Sequence, residues 1–406
     1  MVHWINTPCT DPAGRVFIAD GRVYRAIFPG QEDLIRSLID KREVRSLMDE
    51  GLIARMWPVD RKVDGFGLVV ESDAAPFDVP CERYTRATLR SATLRWLEIY
   101  RRLRPAGLAL SDAHYGNFML FGANEPRWVD LGSIRPLSFV TEERPFRSFR
   151  RFWVGMLAPL ALIETQPRHA RYARLSIADQ PGQGPLTTPD EAPLAVDAMV
   201  EEIGRLLVSE IGALDAEQAL DRLRDFAAGL PRGSESGPLA EERPAASLVE
   251  EATKQFRSSE AASVVCLGTD AFRQFRSAWG SADALVIDEV ESRLDRLAQT
   301  LHCRNAAGQV ALCYGHPVNR LFLRNPPSGD AVLAVDPLDR YAHNSHVAAD
   351  NIGHVLSVLG RKLALVVTPG KHQALAERML GRVYASVTTR GSAWFGGGAV
   401  LVAGRR

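Results

Sequence analysis

From residue 15 to residue 28 apolar and polar positions alternate on either side of Asp20-Gly21, the pattern of two half-buried strands joined by a tight turn. The period then changes to that of helices over 31–40 and 41–50, where Leu34, Ile35, Leu38, Val44, Leu47 and Met48 share a face, and Gly51 ends the run. Strand-like sequence returns at 53–59 and 67–71, before an irregular, proline-containing crossing over 72–80. That order predicts a small, sheet-bearing lobe over about residues 1–80, followed by a hinge.

Next comes a helix predicted over 88–104, with Leu89, Ala92, Leu97, Tyr100 and Leu103 on one face and arginines on the other. Short strands at 118–121 and 127–130 flank the turn-rich 122–126, and helical spacing resumes at 146–163 and 194–230 around a loop at 178–193 rich in Pro, Gly and Thr. These segments make a helical lobe over about 81–230. Residues 231–246 are poor in apolar side chains and read as a linker.

Beyond the linker, over 247–406, short apolar runs at 263–268, 284–288, 309–314, 331–336 and 362–368 alternate with helical segments, and Leu285-Val-Ile-Asp288 followed by the helix 291–302 is the clearest strand-to-helix passage. This alternation predicts a parallel α/β sheet. The chain ends in β-rich sequence over 386–402, around Gly396-Gly-Gly398, and carries no convincing internal repeat.

Composition narrows the function classes. Of 406 residues 46% are hydrophobic and 24% charged, and 49 basic side chains balance 49 acidic ones, so nothing in the charge predicts a general nucleic-acid binder or an anchor on acidic membranes. The first residues lack a basic segment ahead of an apolar core, which predicts a cytoplasmic protein. The most apolar run of the first half, 153–163, is too short to span a bilayer, contains Pro159, and reads as a buried helix. Cysteines 9, 81, 266, 303 and 313 form no CxxC pair, and the spacing of His302, Cys303, Cys313 and His316 is too irregular for a zinc set.

Candidate chemistry concentrates in Leu110-Ser-Asp-Ala-His-Tyr-Gly-Asn117 and Trp128-Val-Asp-Leu-Gly132. Asn117 follows Asp112 by five residues and Asp130 follows Asn117 by thirteen, the intervals of a kinase catalytic loop and its metal-binding turn. Asp112 is the candidate catalytic residue, orienting or deprotonating a hydroxyl, while Asn117 and Asp130 are candidate magnesium ligands against the phosphates of ATP. Arg25, in Tyr24-Arg-Ala-Ile27, stands where a kinase strand carries its phosphate-binding lysine, with Glu43 or Glu32 as its helix partner. His114 is read as a structural hydrogen-bonding residue. The short span from Asp130 to Phe146 argues for a small acceptor rather than a protein.

In the second half, Val264-Val-Cys-Leu-Gly268 occupies the first strand and loop of a dinucleotide or S-adenosylmethionine fold, and Asp288 follows Gly268 by 20 residues, at the end of the second strand. Gly268 and Asp288 are therefore candidate cofactor-binding residues. The loop continues Thr-Asp-Ala-Phe-Arg-Gln without a further glycine, and Cys266 stands where an acidic residue is frequent.

With these residues in view, nearly the whole chain resembles a bacterial family described as S-adenosylmethionine-dependent methyltransferases, some related to nodulation proteins, with a kinase-like N-terminal region. The matching pieces are Gly14-Arg-Val-Phe17, Gly21-Arg-Val-Tyr-Arg-Ala26, the two motifs around Asp112 and Asp130, the helix 147–160, Leu267-Gly268, Val286-Ile-Asp288 and 333–341. The resemblance implies an α+β kinase-like two-lobed domain followed by an α/β Rossmann-like, class I methyltransferase-like domain. The residues and the resemblance together predict a transferase. The leading expectation is Mg-ATP-dependent phosphoryl transfer to a small-molecule, sugar or lipid-linked hydroxyl, beside a degenerate methyltransferase-like domain. The alternatives are S-adenosylmethionine-dependent methyl transfer, with the kinase-like half binding substrate, and a non-catalytic scaffold.

Overall fold

A computed structural model describes residues 2–5, 13–139, 152–165, 170, 173–174, 177, 215–230, 246–276, 282–302, 310–317, 326–343, 349–390 and 398–404. The loop expected at 178–193, the linker apart from Ala246, the stretches 146–151 and 194–214 expected to be helical, Cys9, Cys303 and Gly396-Gly397 lie outside the described residues. The chain forms two units, one of Met1–Ala75, Arg86–Met119 and Glu125–Gly233, the other of Pro76–Thr85, Leu120–Asn124 and Ser234–Arg406.

The first unit opens with an antiparallel sheet of β1 (His3–Trp4), β2 (Gly14–Ala19), β3 (Arg22–Ile27), β4 (Met56–Val59) and β5 (Leu68–Ser72), in the order β1-β2-β3-β5-β4. The alternation about Asp20-Gly21 becomes the β2–β3 hairpin, whose turn residues both have positive φ (53° and 72°), as a two-residue hairpin turn requires. Phe17 and Tyr24 face each other across it with rings 5.2 Å apart, and with Ala19, Ala26 and Val69 they form the sheet's buried face. Helices α1 (Glu32–Asp40) and α2 (Arg42–Asp49) bury Ile35, Leu38, Val44, Leu47 and Met48 as their spacing predicts, with Ile39 in addition, while Leu34 is only partly buried. Each such side chain contributes roughly 1.5–3 kcal/mol when fully buried.

Strand β4 starts later than its sequence suggests. Residues 53–55 do not extend it, because the backbone there is committed elsewhere: the Ala54 amide donates to the Trp128 carbonyl (2.9 Å) and the Trp128 amide to the Leu52 carbonyl (3.0 Å). Helix α3 (Arg86–Leu103) buries Trp96, whose ring stacks on Tyr100 at 5.1 Å and Phe152 at 4.4 Å. Two short pairs follow, β6 (Leu108–Leu110) with β9 (Ile134–Pro136) and β7 (Phe118–Leu120) with β8 (Pro126–Trp128). A π-helical turn over Trp153–Leu157 runs into α4 (Ala158–Thr165), which is buried as its apolar run predicts, and α5 (Ala216–Gly229) closes the described part of the unit. Arg90 of α3 donates to the Ala227 and Leu230 carbonyls (3.0 and 2.9 Å), satisfying the end of α5. The same guanidinium pairs with the buried Glu164 at 2.9 Å.

The second unit is an α/β domain of Rossmann type. Helix α6 (Ala246–Ser258) precedes β10 (Ser263–Leu267), α7 (Thr269–Phe275), β11 (Asp283–Asp288), α8 (Glu291–His302), β12 (Val310–Tyr314), β13 (Gly329–Val335), α9 (Ala349–Leu359), β14 (Gly360–Pro369), α10 (Gly370–Gly381), β15 (Ser386–Arg390) and β16 (Gly398–Gly404). The seven strands lie in the order β12-β11-β10-β13-β14-β16-β15, with β10 to β14 parallel. The central strands β10, β11 and β13 are buried on both faces, which explains their unbroken apolar sequence.

The parallel expectation fails at the C-terminal edge, where β16 runs antiparallel to both β14 and β15. Only residues 391–397 separate β15 from β16, too few for the crossover that parallel neighbours need. Strand order reverses between β10 and β13, and the carboxyl ends of these two strands define the switch point at which open α/β sheets hold ligands.

Candidate functional site

In the first unit, the loop after β6 and the turn after β8 are tied together by backbone. The Ser111 amide and hydroxyl both donate to the Ser133 carbonyl (2.8 and 2.9 Å), and the Val129 amide donates to the Asn117 carbonyl (2.9 Å). Asp130 leaves the strand before its turn, and its Oδ1 accepts the Gly132 amide at 3.1 Å. The same oxygen receives Arg25 Nη1 at 2.9 Å, so β3 and the turn after β8 meet in a part-buried ion pair.

Asp112 contacts His114, with Nε2 to Oδ2 at 3.1 Å, in keeping with the hydrogen-bonding role expected of that histidine. His114 Nδ1 and Asn117 Nδ2 are buried without a hydrogen-bond partner. The helical side of this loop is close-packed: a Cβ on Gly155 would come within 2.2 Å of the Ala113 carbonyl oxygen. Of the helix acids expected near Arg25, Glu32 accepts the Gly30 amide at 2.6 Å and Glu43 lies beside Arg42 at 3.7 Å.

A magnesium site does not fit this arrangement as it stands. Asp130 Oδ1 already has a cation and an amide as partners, and among the described residues no three His, Cys, Asp or Glu side chains cluster to hold a metal.

The second unit gathers its polar groups at the carboxyl edge of the sheet. Gly268 follows β10 with φ +100°, a conformation that side-chain-bearing residues rarely adopt. Asp288 ends β11 and is fully buried. Its Oδ2 accepts the Thr269 amide (2.9 Å) and hydroxyl (3.1 Å), and its Oδ1 accepts the Val290 amide (3.0 Å). These donors offset the cost of burying a carboxyl group away from water.

Arg340, in the π-helical turn Leu338–His343 after β13, completes the cluster. It reaches Asp288 Oδ1 (3.2 Å) and both oxygens of Glu289 (Nη2 at 2.9 and 2.8 Å, Nε at 3.1 Å). Burial works against its charge, but Tyr341, Asp288 and Glu289 outweigh that and hold its pKa above the usual arginine value. Nearby, burial lowers the pKa of His316, with Glu289 acting against the fall and Arg340 adding to it. The ring of His316 meets that of Tyr341 edge-on at 5.4 Å. On the other side of the switch point Asp336, at φ +39°, accepts His372 Nδ1 at 2.9 Å.

Arg25 and Asp130 are thus in contact, as are Gly268 and Asp288 through the Thr269 amide. Cys266, in the position where an acid is frequent, is a core residue whose thiol burial pushes its pKa well up. Sequence reasoning did not identify Glu289, Arg340, Asp336 or His372. Glu289 adjoins a residue already singled out, and Arg340 falls inside the matched stretch 333–341, but no spacing announces that its side chain turns back onto β11.

No known protein-family model matches the chain, and no curated protein is similar to it. Among solved structures, it is similar to the N-terminal domain of EvdMO1 with SAH bound (13% identity, 40% of this chain and 83% of that one, TM-score 0.32). It is also similar to the 16S rRNA methylase RmtB (13%, 51% and 91%, 0.30) and to an rRNA methylase from Escherichia coli (13%, 51% and 92%, 0.29).

Proposed function

We propose that the second unit is an S-adenosylmethionine-dependent methyltransferase domain, with its cofactor at the carboxyl edge between β10 and β13. The observation that carries this reading is the pairing of Gly268, at φ +100°, with the buried, fully hydrogen-bonded Asp288 at the end of the adjacent strand. The first lets a ligand approach the backbone, and the second, with Glu289 beside it, supplies acceptors for ribose hydroxyls. The parallel strands β10 to β14 give the Rossmann-like core that the methyltransferase resemblance implies. The bound cofactor would supply an activated methyl group. The domain's own residues hold and orient it, and proximity rather than covalent catalysis drives such a transfer.

The test is calorimetric titration of the full chain with S-adenosylmethionine and its demethylated product. Binding that weakens at least tenfold in Asp288→Asn supports the reading. Absence of binding both in the parent and in Arg340→Ala, which clears the space beside Gly268, overturns it.

A second reading is phosphoryl transfer in the first unit through Asp112, Asn117 and Asp130, where Arg25 and Asp130 meet; it requires Asp130 to exchange the arginine for magnesium. In kinases the strand cation binds phosphate while the turn carboxylate holds magnesium, so the contact places the two expected groups side by side but engages them with each other. Titration with Mg-ATP tests it: binding lost in both Arg25→Ala and Asp130→Ala supports it, and binding unchanged in Asp130→Ala overturns it. The acceptor for either transfer is proposed to be a small-molecule, glycan or lipid-linked group.

A further inference from the structure

We propose that Arg340 is an internal occupant of the cofactor cleft, and that the residue sets the cleft's specificity because an incoming ligand must replace its guanidinium with positive charge and hydrogen-bond donors of its own. The inference rests on the methyltransferase reading of that cleft. Its first support is steric. Arg340 Nη1 lies 2.1 Å from the position a Cβ on Gly268 would take, so the guanidinium covers the face of the backbone that a positive-φ glycine leaves open. A ligand drawn to Gly268 and the side chain of Arg340 cannot both be there.

The second support is chemical. Arg340 uses Nε and Nη2 on Glu289 and Nη2 on Asp288, the acceptors available for ribose hydroxyls. Withdrawing it leaves two carboxylates facing each other with one cation fewer, which is unfavourable in a site where Asp288 is fully buried. A ligand relieves that imbalance only by bringing donors and positive charge. S-adenosylmethionine does so, with a ribose diol and with an ammonium and a sulfonium that outweigh its single carboxylate. An anionic nucleotide would compound the repulsion once the arginine has left.

The third support is local structure. Arg340 sits in a π-helical turn, a rare form that is frequent at functional sites. The next side chain, Tyr341, is 1% exposed, and its hydroxyl has no hydrogen-bond partner. A buried, unsatisfied hydroxyl costs free energy in the conformation that holds it, so a rearrangement of this turn that finds Tyr341 a partner offsets part of the cost of moving Arg340.

The experiment is calorimetric titration of the full-length parent, Arg340→Ala and Arg340→Met with S-adenosylmethionine, each variant first checked by circular dichroism for a folded signal. Arg340→Met keeps the volume and removes the charge, and serves if the alanine variant does not fold. Binding at least tenfold tighter than in the parent is the expected result. Equal binding, or weaker binding that makes Arg340 part of the ligand surface, overturns the inference and leaves the methyltransferase reading standing. Absence of binding in all three proteins removes that reading and the inference with it. A second measurement uses the parent alone: saturating S-adenosylmethionine raises amide hydrogen exchange across Leu338–His343, and exchange that is unchanged or slowed there overturns displacement.

Discussion

Arg25 and Asp130, 105 positions apart in the chain, meet through a 2.9 Å ion pair whose side chains are 15% and 21% exposed. The pair is neither a solvated surface bridge nor a dry one, so its strength falls between those limits. It also joins β3 to the turn after β8, and whatever loosens it loosens the candidate phosphate site.

Removing the arginine leaves Asp130 with the Gly132 amide and a charge in a half-buried position. Arg25→Ala is expected to cost about 1–2 kcal/mol, more than an exposed bridge and less than a buried one. In a double-mutant cycle with Asp130→Asn, measured by urea denaturation, the two changes are expected to be less than additive. Full additivity shows that the contact carries no coupling.

Under the loop that bears Asp112, the hydroxyls of Thr93 and Tyr115 lie 2.7 Å apart, between the carbonyls of Leu89 (2.8 Å) and Met156 (2.9 Å). Tyr115 is fully buried, so Tyr115→Phe strands its partners without admitting water. The expected loss is about 1–2 kcal/mol in equilibrium unfolding. An unchanged midpoint argues that the network is not formed in solution.

Gly155 admits the loop to its final position, since a Cβ there meets the Ala113 oxygen at 2.2 Å, well inside contact distance. The obstacle is backbone and cannot swing away. Gly155→Ala is expected to destabilise by about 1–3 kcal/mol through overpacking and to shift the amide resonances of residues 112–117. Native resonances in that segment contradict the packing.

How much of this was readable in advance follows from what each signal depends on. Asp20-Gly21, the helical stripes of α1 and α2 and the βα alternation after residue 262 are local patterns, and they appear where the sequence puts them. The β6–β9 pair was not anticipated: each strand has three residues, and their pairing depends on a contact between distant segments rather than on periodicity. The late start of β4 has the same origin, in the backbone bonds that Leu52 and Ala54 share with Trp128. In the cleft, Gly268 and Asp288 could be found because strand ends and glycines mark them. Arg340 could not, because an arginine's reach hides its destination.

Glu50 provides the acid-side prediction. Its hydrogen bonds from Arg102, and secondarily from Ser46, lower its pKa from 4.5 to about 2. A carboxylate with a depressed folded-state pKa contributes stability that is complete above its unfolded value and disappears as pH falls through the folded value. The contribution should therefore fade between about pH 4.5 and pH 2, be reduced by salt because the group is exposed, and vanish in Glu50→Gln. Parallel stability curves for parent and variant from pH 5 to pH 2 contradict the assignment.

Asp288 separates the structural role of the cleft from its ligand role. Asp288→Ala leaves the Thr269 and Val290 amides without an acceptor and removes one of the two carboxylates that hold Arg340, which together are expected to cost about 2–4 kcal/mol. Asp288→Asn keeps one oxygen and the shape, so its loss should be distinctly smaller, near that of a charge-assisted bond replaced by a neutral one. The ordering, alanine well below asparagine in thermal unfolding, tests the hydrogen-bond account without any ligand. Equal losses mean that the charge on Asp288, rather than the number of acceptors it presents, holds the end of β11 against the start of α7.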